Sequence, residues 1–308
     1  MWSHNQWQHS IYGAGCRSAG RLERYAQIFN TVEGNTSFYA TPAGHTVNNW
    51  HAATPDSFRF TFKLPQVITH RQQLQHCDSE LRDFFGVMTP LMGKTGIWKI
   101  QLPAHFGPEA LPILARFLER LPSGLPLGVE VRHPAFFAKG EAERALNRLL
   151  LDKGCNRIIM DSRPLFALPP SNAAIRDAHS KKPKVPVHAI ATAANPVIRF
   201  IGQADAATAG LAQANPPTQP PRDNDAFFDN WLQQLPLWLN EGKQPYLFIH
   251  TPDNAGAPEL ALRLYQKLRH RLAMEAGSPQ ARLKLPELAL LPPAPLQLQS
   301  QPQLGLEW

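Results

Sequence analysis

A (β/α) barrel of the TIM type is the α/β fold class this sequence predicts, and three observations carry the prediction. Short β-rich runs alternate with helical stretches from residue 21 to about residue 272, the rhythm of a parallel sheet with helical crossovers. Seven such units can be counted, one short of a full TIM-barrel ring. Several runs also alternate strictly between an apolar and a charged face, as strands do between a helix shell and a barrel interior.

The elements follow in order. Leu22, Tyr25, Ala26 and Phe29 recur at helical spacing and precede a short strand at 31–35. Phe58-Arg-Phe-Thr-Phe-Lys63 is a strand with perfect alternation. A helix carrying Leu81, Phe84, Phe85 and Met88 leads to a strand at 97–102. Residues 108–121 are helical, 127–132 extended, 140–153 helical and 157–161 extended. Strands at 197–202 and 246–250 bracket a helix at 225–240, and a helix at 257–272 closes the series. Residues 1–272 thus form one barrel domain. Two segments interrupt it. Residues 162–196 read as a long loop, which by its length is a lid, a binding loop or disordered. Residues 203–224 are rich in Ala, Gln and Pro and have no period that could build a core. Residues 273–308 repeat Pro, Leu and Gln and read as a disordered tail.

Composition narrows the class of function. A 43% hydrophobic and 18% charged chain has a core of enzyme size and does not read as disordered. A net charge of +7 admits a polyanionic partner without requiring one. Cys16, Cys77 and Cys155 form no CxxC pair and leave one thiol unmatched, so a reducing, cytoplasmic compartment is expected. The first residues lack a cationic and an apolar region, so no signal peptide is expected. No apolar run reaches the ~20 residues of a membrane span, so no membrane partner is expected.

Alternation assigns the barrel interior. With Phe58, Phe60 and Phe62 under the helices, Arg59, Thr61 and Lys63 point inward. The same logic turns Glu130, Arg132, Tyr246, Phe248 and His250 inward. Glu33, Asn35, Lys99, Gln101, Arg157, Asp161 and Arg199 complete the inward set. It holds six cations (Arg59, Lys63, Lys99, Arg132, Arg157, Arg199) against three anions (Glu33, Glu130, Asp161). Unpaired buried charges cost several kcal/mol each, so these groups serve either internal ion pairs or a ligand at the open end. Barrel sites lie at strand C-termini, and a cationic excess suits a phosphate or carboxylate.

Motifs then add a resemblance. Phe29-Asn-Thr-Val-Glu-Gly-Asn35 with Phe38-Tyr39, Phe58-Arg-Phe-Thr-Phe-Lys63, Ile68-Thr-His70, Gln101-Leu-Pro103, Val129-Glu-Val-Arg-His-Pro134 and Arg199-Phe-Ile-Gly202 occur together and in order. The chain resembles the YecE-like family, a TIM-barrel-like domain of unknown function, over roughly residues 1–272. Asp161-Ser-Arg-Pro164, Lys181-Lys-Pro-Lys-Val-Pro-Val-His188 and His250-Thr-Pro-Asp253 resemble its enterobacterial branch in particular. The resemblance implies the barrel fold, with these motifs at one end, and implies no activity. It also implies a strand ahead of Trp2-Ser3-His4, and that first strand is expected to be missing here. Either the barrel is open at that seam or the start is assigned too late.

The candidate catalytic residues are Glu33 and Glu130, as acid and base or as counter-ions of Arg132 and Lys63, and Lys63, as an anion contact, base or nucleophile. Asn35, His70, Gln101, Arg132, His133, Asp161, Arg199, Gly202 and His250 are the candidate ligand contacts. No metal is expected, because no tight ligand spacing such as HxH or HExxH occurs and neighbouring cations repel one. The sequence names no cofactor, and it has no dinucleotide loop, P-loop or nucleophile elbow. The basic stretch from Arg176 to His188 reads as a solvated loop or as a lid over a polyanion. Three functions remain open: an enzyme acting by acid–base chemistry on an anionic or phosphorylated small molecule or nucleotide, a nucleic-acid-binding or processing barrel, and a non-catalytic scaffold.

Overall fold

The computed structural model describes residues 2–203, 224–274 and 288–290. Seven strands follow one another around one sheet in chain order: β1 (Thr31–Gly34), β2 (Arg59–Lys63), β3 (Thr95–Gln101), β4 (Leu127–Glu130), β5 (Asn156–Asp161), β6 (Val197–Ile201) and β7 (Tyr246–His250). Every hydrogen-bonded neighbour pair is parallel. Parallel neighbours need crossovers, and helices supply them. The described helices are α1 (Arg21–Ile28), α2 (Gly44–Ala52), α3 (Asp78–Met88), α4 (Leu111–Arg120), α5 (Glu141–Asp152), α6 (Arg163–Phe166), α7 (Ala173–Lys181), α8 (Asn224–Asn240) and α9 (Ala257–Met274), of which α2 to α8 lie between successive strands. None of the described helices is long and apolar enough to cross a membrane.

The strand faces divide the packing. Outward Phe60, Phe62, Trp98 and Val129 meet Phe84, Phe117 and Leu146 of the helices in one core. Outward Ile159, Ile198 and Phe200 meet Phe228, Trp231 and Leu264 in another. Inside the barrel, Ile97, Ile158, Val197, Tyr246 and Phe248 form an apolar plug toward the strand N-termini. The plug leaves no room on β3: a Cβ on Gly96 would sit 2.0 Å from the Tyr246 hydroxyl. The interior can therefore be polar only above it, at the C-terminal ends.

Among the described residues no ladder joins β1 to β7, so the ring is hydrogen-bonded along six of its junctions and open at this seam. The N-terminal segment spans it. Trp7, Ile11 and Tyr12 pack with Ala257, and the Trp7 indole N–H donates to Asn254 O at 2.8 Å.

Several expectations are corrected. The presumed loop at 162–196 contains α6 and α7. The first is a single turn opened by Pro164, and the second is capped by the Asn172 side chain, which accepts from the Ile175 N–H at 2.9 Å. Helix α2, polar in sequence, was not anticipated; Val47 and the stacking of Trp50 on Phe62 at 5.7 Å hold it. Arg157 and Asp161 face the helices, not the interior. The run Ile158-Ile159-Met160 is apolar on both faces, so alternation carried no phase there. Helix α9 runs to Met274, and Leu290 packs beside Trp7 and Tyr12. The rest of the expected tail lies outside the described residues, as does the Pro-rich insert apart from its two ends.

Filling Gly96 tests the plug. Gly96→Ala is expected to cost about 1–3 kcal/mol by overpacking, and adding Tyr246→Leu should recover most of that loss. Urea unfolding of the single and double variants measures both, and a neutral Gly96→Ala would mean that the barrel floor has slack.

Candidate functional site

Above the plug, one guanidinium ties three strands together. Arg199 of β6 donates from Nε and Nη2 to Glu33 of β1 at 2.8 and 3.2 Å, and from Nη1 to Glu130 of β4 at 3.0 Å. Lys99 of β3 donates to Glu33 at 2.5 Å, and Arg132 donates to Glu130 at 2.9 and 3.2 Å. His250 Nε2 stands 2.9 Å from Glu33 across the open seam. Glu33 and Arg199 are each 2% exposed, and Lys99 is fully buried.

This geometry sets the protonation states. Burial alone would push Glu33 up, but Arg199, Lys99 and His250 outweigh it and hold its carboxyl well below the usual range. Burial also pushes Glu130 up, and Arg199, Arg132 and Lys63 overcome it. Both carboxylates are thus ionised at neutral pH and hold no proton to donate. Burial keeps the His250 imidazole neutral, down at about 4, although Glu33 partly opposes the shift.

Lys63 differs from the other buried lysines. Lys94 donates to the His51 and Thr54 carbonyls at 3.0 and 2.6 Å, and Lys99 to Glu33. Lys63, 9% exposed at the end of β2, makes no hydrogen bond or ion pair from Nζ among the described residues. Its ammonium position lies 5.5 Å over the Phe38 ring, and its carbonyl is pinned by the Ser37 hydroxyl at 2.8 Å. Burial, with Arg199 next, pulls the amine down to about 7. Lys182, just beyond α7, is likewise drawn down to about 8, by burial and then Arg199.

Lys63, Lys182, Arg132, Gln101 and Asn35 line one cavity of about 1050 Å³. It continues toward the seam between apolar walls that include Tyr25, Phe29, Leu239 and Leu268. Gln101 Oε1 and Asn35 Oδ1 are buried there without a hydrogen-bond partner among the described residues. Buried amide oxygens normally find donors, so these two are acceptors or, with the amide turned, donors available to a ligand.

The expected site residues therefore separate. Glu33, Asn35, Lys63, Gln101, Arg132, Arg199 and His250 line this cavity, with Glu130 buried behind Arg132 and Arg199. His70 stands beside them on the π-helical turn Val67–Arg71, with its ring edge against Phe38 at 5.1 Å. Burial and then Arg132 lower its imidazole. Three expected residues are elsewhere. Asp161 accepts from Arg163 at 2.7 and 2.9 Å and from the Trp231 indole at 2.8 Å, under α8. Gly202 faces the helices, where a Cβ would lie 2.6 Å from Leu260. His133 caps the turn Pro134–Phe137 by accepting the Ala135 N–H at 3.3 Å. Arg157 pairs with Glu143 of α5 at 2.9 Å, which also meets His188 at 2.6 Å. Lys182 was missed as an individual residue; the basic run signalled it, but only the fold shows which of its lysines is drawn inward. Among the described residues no three His, Cys, Asp or Glu side chains form a group that could hold a metal ion.

Two outcomes follow. Arg199→Ala strands two buried carboxylates and should cost about 3–5 kcal/mol at neutral pH. The stranded groups can take up protons in acid, so the deficit against wild type should narrow as the pH falls toward about 4. Lys63→Met should act oppositely. Between about 7, its folded value, and the ordinary 10.5, the unfolded chain keeps a proton that the folded chain releases. Lys63 thus costs stability in full below about pH 7, and the cost fades as pH rises through that window. Lys63→Met should raise the melting temperature more at about pH 6 than at about pH 10; an equal gain at both would show that the amine is not the titrating cost.

A family model described as "Protein of unknown function DUF72" matches residues 1–283. The UPF0759 protein YecE of Escherichia coli (strain K12) is 49% identical over 272 residues, which is 88% of this chain and 92% of that protein. The UPF0759 protein YunF of Bacillus subtilis (strain 168) is 27% identical over 145 residues, 45% of this chain and 51% of the relative. A DUF72 family protein of Enterococcus faecalis V583 superimposes with a TM-score of 0.60 at 20% identity, covering 80% of this chain and 92% of its own. One of Thermotoga maritima MSB8 gives 0.58 at 20% identity, covering 87% and 96%. These two share the fold. With its seven-stranded barrel and a family match from residue 1 to residue 283, the chain belongs to the DUF72 family.

Proposed function

We propose that the cavity binds an anionic small molecule, a phosphate or carboxylate, and that Lys63 moves protons on it. One observation carries this reading: the cluster holds more cation than its carboxylates use. Glu33 and Glu130 are occupied by Arg199, Lys99 and Arg132, while Lys63 and Lys182 face the same cavity with no carboxylate partner among the described residues. Buried cations without counter-ions are costly, and an anionic ligand offsets that cost. Gln101 and Asn35 add hydrogen-bonding positions to hold such a ligand in one orientation.

The proton-transfer role falls to Lys63 instead of the two glutamates. A group at about 7 exchanges protons readily at neutral pH, whereas both carboxylates are held ionised by their partners. Glu33 and Glu130 act as counter-ions that keep Arg199 in place. The polynucleotide reading has less support, because Lys99 and Arg199 are buried inside the barrel, where a polymer backbone does not reach. The three cysteines are free, which suits the reducing cytoplasm we assign to this activity.

Thermal unfolding with sulfate, whose charge is constant near neutrality, tests the site. Sulfate at about 100 times its dissociation constant should add about 2.7 kcal/mol. The shift should be larger at about pH 6 than at about pH 9, since Lys63 is charged only below about 7. Arg132→Ala should reduce the shift. A melting curve indifferent to sulfate and phosphate up to millimolar concentration would leave the cations as internal ion-pair partners and overturn the reading.

A further inference from the structure

We infer that Lys63 is a nucleophile that captures the carbonyl of an anionic aldehyde or ketone as an imine. The inference rests on the anion-site reading above and adds the substrate class and a covalent step to it.

The geometry points to this use. A buried lysine normally earns its place through hydrogen bonds, as Lys94 and Lys99 do with their oxygens. Lys63 is buried as well, at 9% exposed, yet its amine makes none among the described residues and opens onto the cavity instead. An amine with no hydrogen bond among the described residues, held at a strand C-terminus where barrel chemistry occurs, is placed for a ligand entering the cavity. Its backbone is fixed on both sides: Ser37 Oγ donates to its carbonyl at 2.8 Å, and the Leu64 N–H donates to Lys99 O at 2.9 Å. The Phe38 ring limits the directions from which a ligand can approach it.

The surrounding charges divide the work. Arg199 and Lys99 across the barrel disfavour the ammonium, while Glu130 and Glu33 favour it, so neither form is locked in. Arg132, Lys182 and Gln101 on the same cavity wall supply the contacts for the anionic group. At neutral pH roughly half of an amine at 7 is free, against roughly one in three thousand of an ordinary lysine. Its lower basicity makes each free amine a weaker nucleophile, but the larger population wins.

The step balances without a further reagent. The nitrogen lone pair adds to the carbonyl carbon, the C=O π pair moves onto oxygen, and an ammonium proton passes to that oxygen. The resulting carbinolamine takes one proton from solvent and expels water. Neutral amine, carbonyl compound and one proton thus become a protonated imine and water. Glu130, a carboxylate already oriented by Arg132 and Arg199, opposes the positive charge so formed.

Reductive trapping tests the inference. The full chain is treated with glycolaldehyde phosphate at about pH 7, then with sodium borohydride, which delivers hydride to an imine and leaves a stable secondary amine. Peptide mass mapping should find Lys63 labelled at least about tenfold faster than any other lysine, Lys182 included. Uncharged glycolaldehyde should lose that preference, because it has no group for Arg132 and Lys182 to hold. Lys63→Arg should lose the adduct at this position, since a guanidinium forms no imine. Labelling spread evenly over exposed lysines, or centred on Lys182, would overturn the assignment. No preferred adduct with the sulfate shift intact would refute the imine alone; loss of both would refute the anion site as well.

Discussion

The Arg199 guanidinium, clamped between Glu33 and Glu130, is the constraint on which the rest of the site depends. It joins β6 to β1 and β4, strands that are not neighbours in the sheet, through charge-assisted bonds of 2.8 to 3.2 Å. Three buried charges can coexist only in such an arrangement, because each alone would cost several kcal/mol of desolvation. Once Arg199 is in place, both carboxylates are satisfied and ionised. Lys63 adds only a longer-range charge to Glu130, and its amine opens onto the cavity. A single guanidinium thus links three strands across the barrel and pairs with the two carboxylates at its mouth.

The open seam between β1 and β7 is the second determinant. Sheet edges expose unpaired backbone groups, and proteins cover or blunt them. Here the His250–Glu33 contact links the two edges at the charged end, and Trp7, Ile11 and Tyr12 cover the approach with Ala257 and Leu290. The cavity therefore has two characters: charged walls at the strand C-termini and apolar walls along the seam. A ligand with one anionic end and a less polar body matches that division.

Much of the barrel was legible in the sequence because its signals are local. Alternation in Phe58-Arg-Phe-Thr-Phe-Lys63 assigned both faces of β2 correctly, and the Phe face lies under the helices. The same rule succeeded on β7, where Leu247 and Ile249 pack against helices and Phe248 joins the interior plug. It failed on β5, where successive apolar residues have no phase and the charges at either end were assigned inward by default. Arg157 and Asp161 were instead taken up by Glu143 and by Arg163 with Trp231, partners on helices whose positions no local pattern reveals.

By itself the sequence determined the strand order, the polar end of the barrel and the excess of positive charge there. Those properties follow from residue type and periodicity, which act over a few residues. Tertiary structure alone decided which charges cancel. Glu33 meets Arg199 across 166 positions of chain, and Lys63 has no ion-pair partner among the described residues. Lys182 enters the same cavity from a loop whose composition reads as solvated. Ion pairing depends on distances of a few ångströms between groups remote in sequence, and only closure of the fold sets those distances.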